Sequence, residues 1–120
     1  MHKQYTLTNV HTNAQYESMT IQNVTGFDWN HGNLKKCQKH GVGIAEIESV
    51  FRQTIAIFPD PAYSKGEERF IGTGQTNTDR YVFIAFTLRT HNDKVLIRPI
   101  SARYIHQKEV EHYEKEITST

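Results

Sequence analysis

The clearest alternation of apolar and polar positions runs from Tyr81 to Arg89. Val82, Ile84, Phe86 and Leu88 fall on one side, and Tyr81, Phe83, Ala85, Thr87 and Arg89 on the other. A period of two is the mark of a strand, so the wholly apolar side is core and the second is an amphipathic face ending in a charge. His91-Asn92-Asp93 turns the chain into a second run, Val95–Arg103. Two strands joined this tightly must pair antiparallel.

Elsewhere the period is helical. Ile44, Ile47, Val50 and Phe51 share one face of a helix over about 44–53, with Glu48 and Arg52 in the favourable order for an ion pair on another. Asn30 is placed to cap a helix over 31–39 that carries Leu34 and Cys37, and Gly41 to end it in the left-handed region. Thr20–Asp28, Thr54–Phe58 and Glu68–Gly74 read as shorter strands. Pro59-Asp60-Pro61 stops the second of these, Ser64-Lys65-Gly66 lies in the following loop, and Thr76–Asp79 is a polar turn. His106, Val110, Tyr113 and Ile117 space a terminal helix. The order β-α-α-β-β-β-β-α predicts an α+β fold: an antiparallel β-sheet with two N-terminal helices and one C-terminal helix. Residues 1–18 are polar and aperiodic, an extension ahead of a single domain over 19–117.

Composition narrows the class. With 120 residues, 37% hydrophobic and 22% charged, the chain suits one water-soluble domain and lacks an apolar run long enough for a bilayer. A single cysteine, Cys37, forbids an internal disulfide and points to the reducing cytoplasm. The net charge of +1 hides an asymmetry: residues 29–108 hold 12 Lys/Arg against seven Asp/Glu (+5), residues 109–120 one Lys against four Glu (−3). A basic body with an acidic tail is compatible with an anionic ligand.

The chain has neither a phosphate-binding glycine loop nor a Gly-x-Ser-x-Gly elbow. His31, Cys37 and His40 cluster within ten residues, but no second group of thiols or imidazoles completes a four-ligand zinc site, so neither a metal nor another cofactor is expected. The arginines are more informative. Arg69, Arg89, Arg98 and Arg103 fall on three successive predicted strands, where planar guanidinium groups suit a phosphate cradle. The competing reading pairs each with a nearby acid such as Glu67 or Glu68. Lys35, Lys36, Lys39 and His40 make the first helix end basic, suited either to solvent or to flanking phosphates.

An ordered set of short segments then resembles a known family, the BrnT toxins. The set comprises Phe27-Asp28-Trp29, Lys39-His40-Gly41-Val42, the Ile44–Phe51 helix, Asp60-Pro61, Gly66-Glu67-Glu68-Arg69-Phe70-Ile71, Gly74, Ile100-Ser101-Ala102-Arg103 and a charged helix ending near Tyr113. Together these span roughly 27–115. The resemblance implies a RelE-like fold and a ribonuclease toxin of a type II toxin–antitoxin pair. It implies RNA as substrate, inhibition of translation, neutralisation by a BrnA-type antitoxin, and operator DNA bound only through that complex. After Trp29 the chain departs from the family in Asn30-His31-Gly32, and its 18-residue lead is atypical.

RNA cleavage without metal needs a base for the 2′-hydroxyl, cations for the charge at phosphorus and an acid for the leaving oxygen. Arg69, Arg89 and Arg103 are the expected cations, and His40 and Glu68 the acid–base candidates. Lys36, Lys39 and Arg98 would bind RNA, and Tyr81, with Phe83, would stack bases. The rival readings are a non-catalytic partner-binding protein, a metal hydrolase and, less suited to so much sheet, a helix-turn-helix repressor.

Overall fold

The computed structural model describes residues 5–7, 21–53, 55–60 and 66–118. The elements in chain order are β1 (Tyr5–Leu7), β2 (Ile21–Phe27), α1 (His31–Gln38), α2 (Ile44–Val50), β3 (Ala56–Pro59), β4 (Arg69–Gln75), β5 (Tyr81–His91), β6 (Lys94–Tyr104) and α3 (Gln107–Thr118). The expected order is present with β1 added ahead of it, and the α+β class stands.

The sheet differs from expectation in one respect. Its strand order is β1-β2-β6-β5-β4-β3, and β2 lies parallel to β6, with Val24 beside Val95 and Phe27 beside Ile97. The sheet is therefore mixed, not antiparallel. Tight turns dictate antiparallel pairing only between chain neighbours, such as β5 and β6. The partners β2 and β6 are separated in the chain by α1, α2 and β3–β5, so no tight turn sets the sense of their pairing. Pro59 also differs: instead of stopping β3 it is the last residue of that strand. It is tolerated because β3 is an edge strand, where a missing N–H costs no ladder bond.

Local chemistry explains the element ends. The Asn30 side-chain oxygen accepts from the N–H groups of Gly32 and Asn33, while the Asn33 side chain accepts from the Asn30 N–H. This reciprocal cap closes the first turn of α1. Gly41 takes φ of +87° after α1, and Asn92 and Asp93, at 49° and 64°, form the tight turn between β5 and β6.

The core lies between one face of the sheet and the two N-terminal helices. Val82, Ile84 and Phe86 of β5, with Ile57, Phe70, Ile97 and Ala102, meet Cys37, Ile47, Val50 and Phe51. Phe51 stands edge-on to Phe86 with ring centroids 5.0 Å apart, a favoured aromatic geometry. Leu88 is only partly buried at the margin of this layer. The second face, expected to be amphipathic, is buried at its centre: Thr73, Ala85 and Thr87 are each 2% exposed. Its ends are open, with Tyr81 half-buried and Arg89 exposed. In α3, Val110 is buried as the spacing requires. His106 instead precedes the helix, is exposed, and accepts the N–H groups of Glu109 and Val110 on its carbonyl. The side chains of Tyr113 and Ile117, the Ser64-Lys65 part of the loop and nearly all of residues 1–18 lie outside the described residues. Among the described residues no helix is long and apolar enough to cross a membrane.

Candidate active site

Strand register sorts the predicted residues into two regions. Arg69 sits opposite Thr87, and Thr87 opposite Arg98, so the three form one row across β4, β5 and β6. Arg89 lies two residues further along β5 on the same face. Arg103 shares that face but pairs with Phe83, four residues back along β5, or about 14 Å from the row at 3.4 Å per residue. Three arginines are thus brought together, but the third is Arg98, not Arg103.

Every one of these guanidinium groups meets a carboxylate. Arg69 reaches Asp60 at 3.2 Å, Arg89 reaches Glu67 at 2.8 Å, Arg98 reaches Asp28 at 3.5 Å, and Arg103 reaches Glu109 at 2.9 Å. Arg103 also lies 4.9 Å from the centre of the Phe83 ring. A phosphate entering this face would have to displace an acid. Glu68 is exposed, next to Arg69 in the chain.

The other region forms where β5 begins and β6 ends. A cleft of about 350 Å³ is lined by Asp79, Arg80, Tyr81, Tyr104, Ile105, His106 and Gln107. Its construction starts in the Thr76–Asp79 turn. The Thr76 hydroxyl accepts the N–H groups of Thr78 and Arg80, and the Thr76 N–H donates to the Arg80 carbonyl at 2.8 Å. Helix α2 ties the turn down: Ser49 Oγ accepts the Asn77 N–H at 3.0 Å, and the Thr78 hydroxyl donates to Glu46 Oε2 at 2.9 Å. Arg80 is thereby delivered over the Tyr104 ring, its guanidinium carbon 3.5 Å from the ring centre. Such stacking holds a guanidinium without neutralising it. Among the described residues Arg80 has no acid at ion-pair distance.

Tyr104 is fixed in turn. Its hydroxyl donates to Glu46 Oε1 at 2.5 Å and approaches the Gly41 carbonyl at 3.4 Å. The hydrogen bond from Tyr104, with those from Thr78 and the Gly43 N–H and the nearby charge of Arg80, holds the Glu46 carboxyl below its ordinary range. The same bond pushes the Tyr104 phenol up, because ionising it would set two anions side by side.

The remaining predicted residues fall between these regions. Tyr81 lines the cleft. Lys39 and His40 are exposed in the turn after α1, two residues and one residue before Gly41, whose carbonyl the Tyr104 hydroxyl approaches. Lys36 is exposed on α1, in a separate groove with Arg98. Cys37 is buried, and desolvation outweighs the nearby Arg98 charge to push its thiol to about 11, so it stays protonated and unreactive at neutral pH. Among the described residues no group of three or more His, Cys, Asp and Glu could hold a metal ion.

Arg80, Tyr104, Glu46 and His106 were not singled out by sequence as site residues. Arg80 follows a polar turn, and His106 carries the spacing of a helix face, so only the fold brings them together.

Comparison with known proteins decides the family. Residues 29–109, more than half of the chain, match the family described as the ribonuclease toxin, BrnT, of type II toxin–antitoxin systems. The chain belongs to the BrnT toxin family. The match includes α1, α2 and β3–β6, and hence both the arginine row and the residues around the cleft. As a toxin of such a pair it implies an antitoxin partner. No individual curated protein matches the chain.

Proposed function

We propose that this BrnT-family protein is a metal-independent endoribonuclease with a RelE-like fold, and that it cuts RNA in the Arg80–Tyr104 cleft. The observation that carries this is Arg80: a cation stacked 3.5 Å from the Tyr104 ring, without an acid partner among the described residues, in a cleft that also holds His106 and Tyr81. A phosphodiester fits such a place because the guanidinium fork is pre-oriented and still charged.

Arg80 holds the scissile phosphate and stabilises the charge that develops there. His106 in the cleft and His40, next to Gly41 in the chain, supply the acid–base pair. The 2′-oxygen attacks the adjacent phosphorus as its proton passes to one imidazole. The P–O5′ bond breaks as the other, protonated, gives its proton to the 5′-oxygen. The products are a 2′,3′-cyclic phosphate and a 5′-hydroxyl end. Tyr81 stacks a flanking base, and Lys39 meets a neighbouring phosphate. Arg69, Arg89 and Arg103, held by carboxylates, stabilise the sheet face and come second as catalytic cations. Glu68, exposed beside Arg69, is likewise the second choice for the acid–base role.

The proposed biological consequence is arrest of translation in the cytoplasm, relieved by a BrnA-type antitoxin whose complex binds operator DNA. The test is cleavage of a defined RNA by the purified protein with chelator present. Cyclic-phosphate products that persist in chelator support the proposal. Absence of cleavage by folded protein would favour a partner-binding role, and dependence on added metal a metal hydrolase.

A further inference from the structure

At the Arg98 end of the row, about 20 Å from the cleft by the six residues that separate Thr87 from Tyr81, a groove of about 230 Å³ opens between α1 and β6. It is lined by Gly32, Asn33, Lys36, Arg98 and Ile100. Its floor is rigid. Asn33, 4% exposed, donates to the carbonyls of Asp28 and Pro99 at 2.9 and 2.8 Å and so stitches α1 to β6. Arg98 is sunk in this seam with its side chain only 18% exposed. Among the described residues its guanidinium makes no hydrogen bond and reaches a single carboxylate oxygen, on Asp28, at 3.5 Å. A guanidinium carries five donors, and none of those of Arg98 is a buried unpartnered atom, so they reach solvent and stay open to an anion. Lys36 stands in the same groove, exposed and without an ion pair among the described residues. Lys35 adjoins Lys36 on α1. Against one carboxylate, from Asp28, the groove sets two lining cations and one neighbouring one.

We infer that this groove is a second phosphate site, taking a backbone phosphodiester of a single-stranded nucleic acid remote from the point of cleavage. Arg98 swings from its long contact with Asp28 to grip the phosphate, and Lys36 neutralises it from the rim. Only the source of the phosphate, the RNA substrate, rests on the ribonuclease proposal; the groove's affinity for a phosphodiester does not. Its contribution is affinity and register: a strand long enough to span both places is held at two points, and one confined to the cleft at one.

The probe is single-stranded DNA, which lacks the 2′-hydroxyl and so cannot be cut by this chemistry, in lengths of about 4 and about 12 nucleotides, both within the site sizes such proteins use. Fluorescence anisotropy over a range of salt concentrations gives affinity and the number of phosphates neutralised. For the long strand, Lys36→Gln and Arg98→Gln should each weaken binding about tenfold and flatten the plot of log affinity against log salt by about 0.7, the contribution of one phosphate on a single strand. The short strand, which cannot hold both places at once, should lose much less than the long one. Lys36 is exposed, so its variant keeps the test decisive even where Arg98→Gln disturbs the seam. Unchanged long-strand affinity and slope in Lys36→Gln overturns the site, and so does loss confined to binding of an acidic protein partner. Length-dependent binding by a protein that cuts no RNA would sink the ribonuclease proposal and leave the groove standing.

Discussion

At the Thr87 end of β5, Arg69 and Arg89 meet carboxylates at 3.2 and 2.8 Å, whereas at the Tyr81 end Arg80 lies on an aromatic ring. The residue type is the same and the environments are opposite. An acid partner satisfies a guanidinium and cancels its charge. A tyrosine face immobilises it and leaves the charge available. Stacking is also linked, through the Tyr104 hydroxyl and Glu46, to the turn that delivers Arg80, so position and charge are set by one hydrogen-bonded unit. A cation that its surroundings leave without an acid at ion-pair distance is a better candidate for holding a phosphate than one among many paired cations.

The most severe test of this contrast removes the cleft's chemistry. His106→Ala should lower the cleavage rate by about 10²–10⁴, the usual worth of a general acid or base. Arg80→Ala should cost about 10²–10³, as loss of a transition-state donor does. Both side chains are exposed, so the unfolding midpoint should move by no more than about 0.5 kcal/mol. Rate and midpoint measured together check both, and full activity in either folded variant would break the assignment.

How much of this was legible in the sequence follows from the range of each signal. Period-two alternation placed β5 and its core face, and Asn30 and Gly41 marked the ends of α1, because those cues act within a few residues. The parallel pairing of β2 with β6 was not legible, since no local turn encodes it. The arginines were readable as strand residues, and Glu67 as an acid partner, which Arg89 meets, but Asp28 and Asp60 were not, lying 70 and nine residues from the arginines they bind. Arg80 and His106 meet only because β5 begins where β6 ends, a consequence of register.

A smaller effect is expected from the linkage that holds Arg80. Tyr104→Phe keeps the ring under Arg80 and loses the hydroxyl's bond to Glu46, and Glu46→Gln removes the charge. Each should reduce kcat by roughly tenfold, the equivalent of one charge-assisted hydrogen bond, with little change in KM. The pH dependence has a definite sign. Glu46 is held low in the folded state, so its contribution to stability is complete above the ordinary carboxylate range near 4.3 and fades as pH falls through the lowered value. Tyr104 is held high, so its contribution is complete below about 10 and fades as pH rises through the raised value. Thermal melts of wild type and Glu46→Gln should converge in acid, and those of wild type and Tyr104→Phe in strong alkali. Parallel curves across the whole range would show that the bond contributes nothing to folding.

At the other end of β5, Arg89→Ala should change little. Its ion pair with Glu67 joins side chains that are 48% and 38% exposed, and such pairs contribute about 0–1 kcal/mol. Cleavage should stay within about twofold of wild type, within the ±0.5 kcal/mol usual for exposed changes. A loss of 10²-fold or more in a folded Arg89→Ala protein would move the chemistry to the arginine row and reverse the comparison.

The smallest effect is expected at the edge of the sheet furthest from either region. β1 is three residues long and touches the sheet only through β2, with Tyr5 opposite Val24 and Leu7 opposite Ile21. Short edge strands chiefly shield unpaired backbone and bury little apolar surface. A chain beginning at Met19 retains β2 and its parallel contact with β6, and the family match begins later still, at residue 29. Its melting temperature should therefore fall by no more than about 4–8 °C, the shift that 1 kcal/mol produces in a domain of this size, with the cleavage rate unchanged. A larger fall would show that β1 is needed to close the β2 edge, and that the domain begins before Met19.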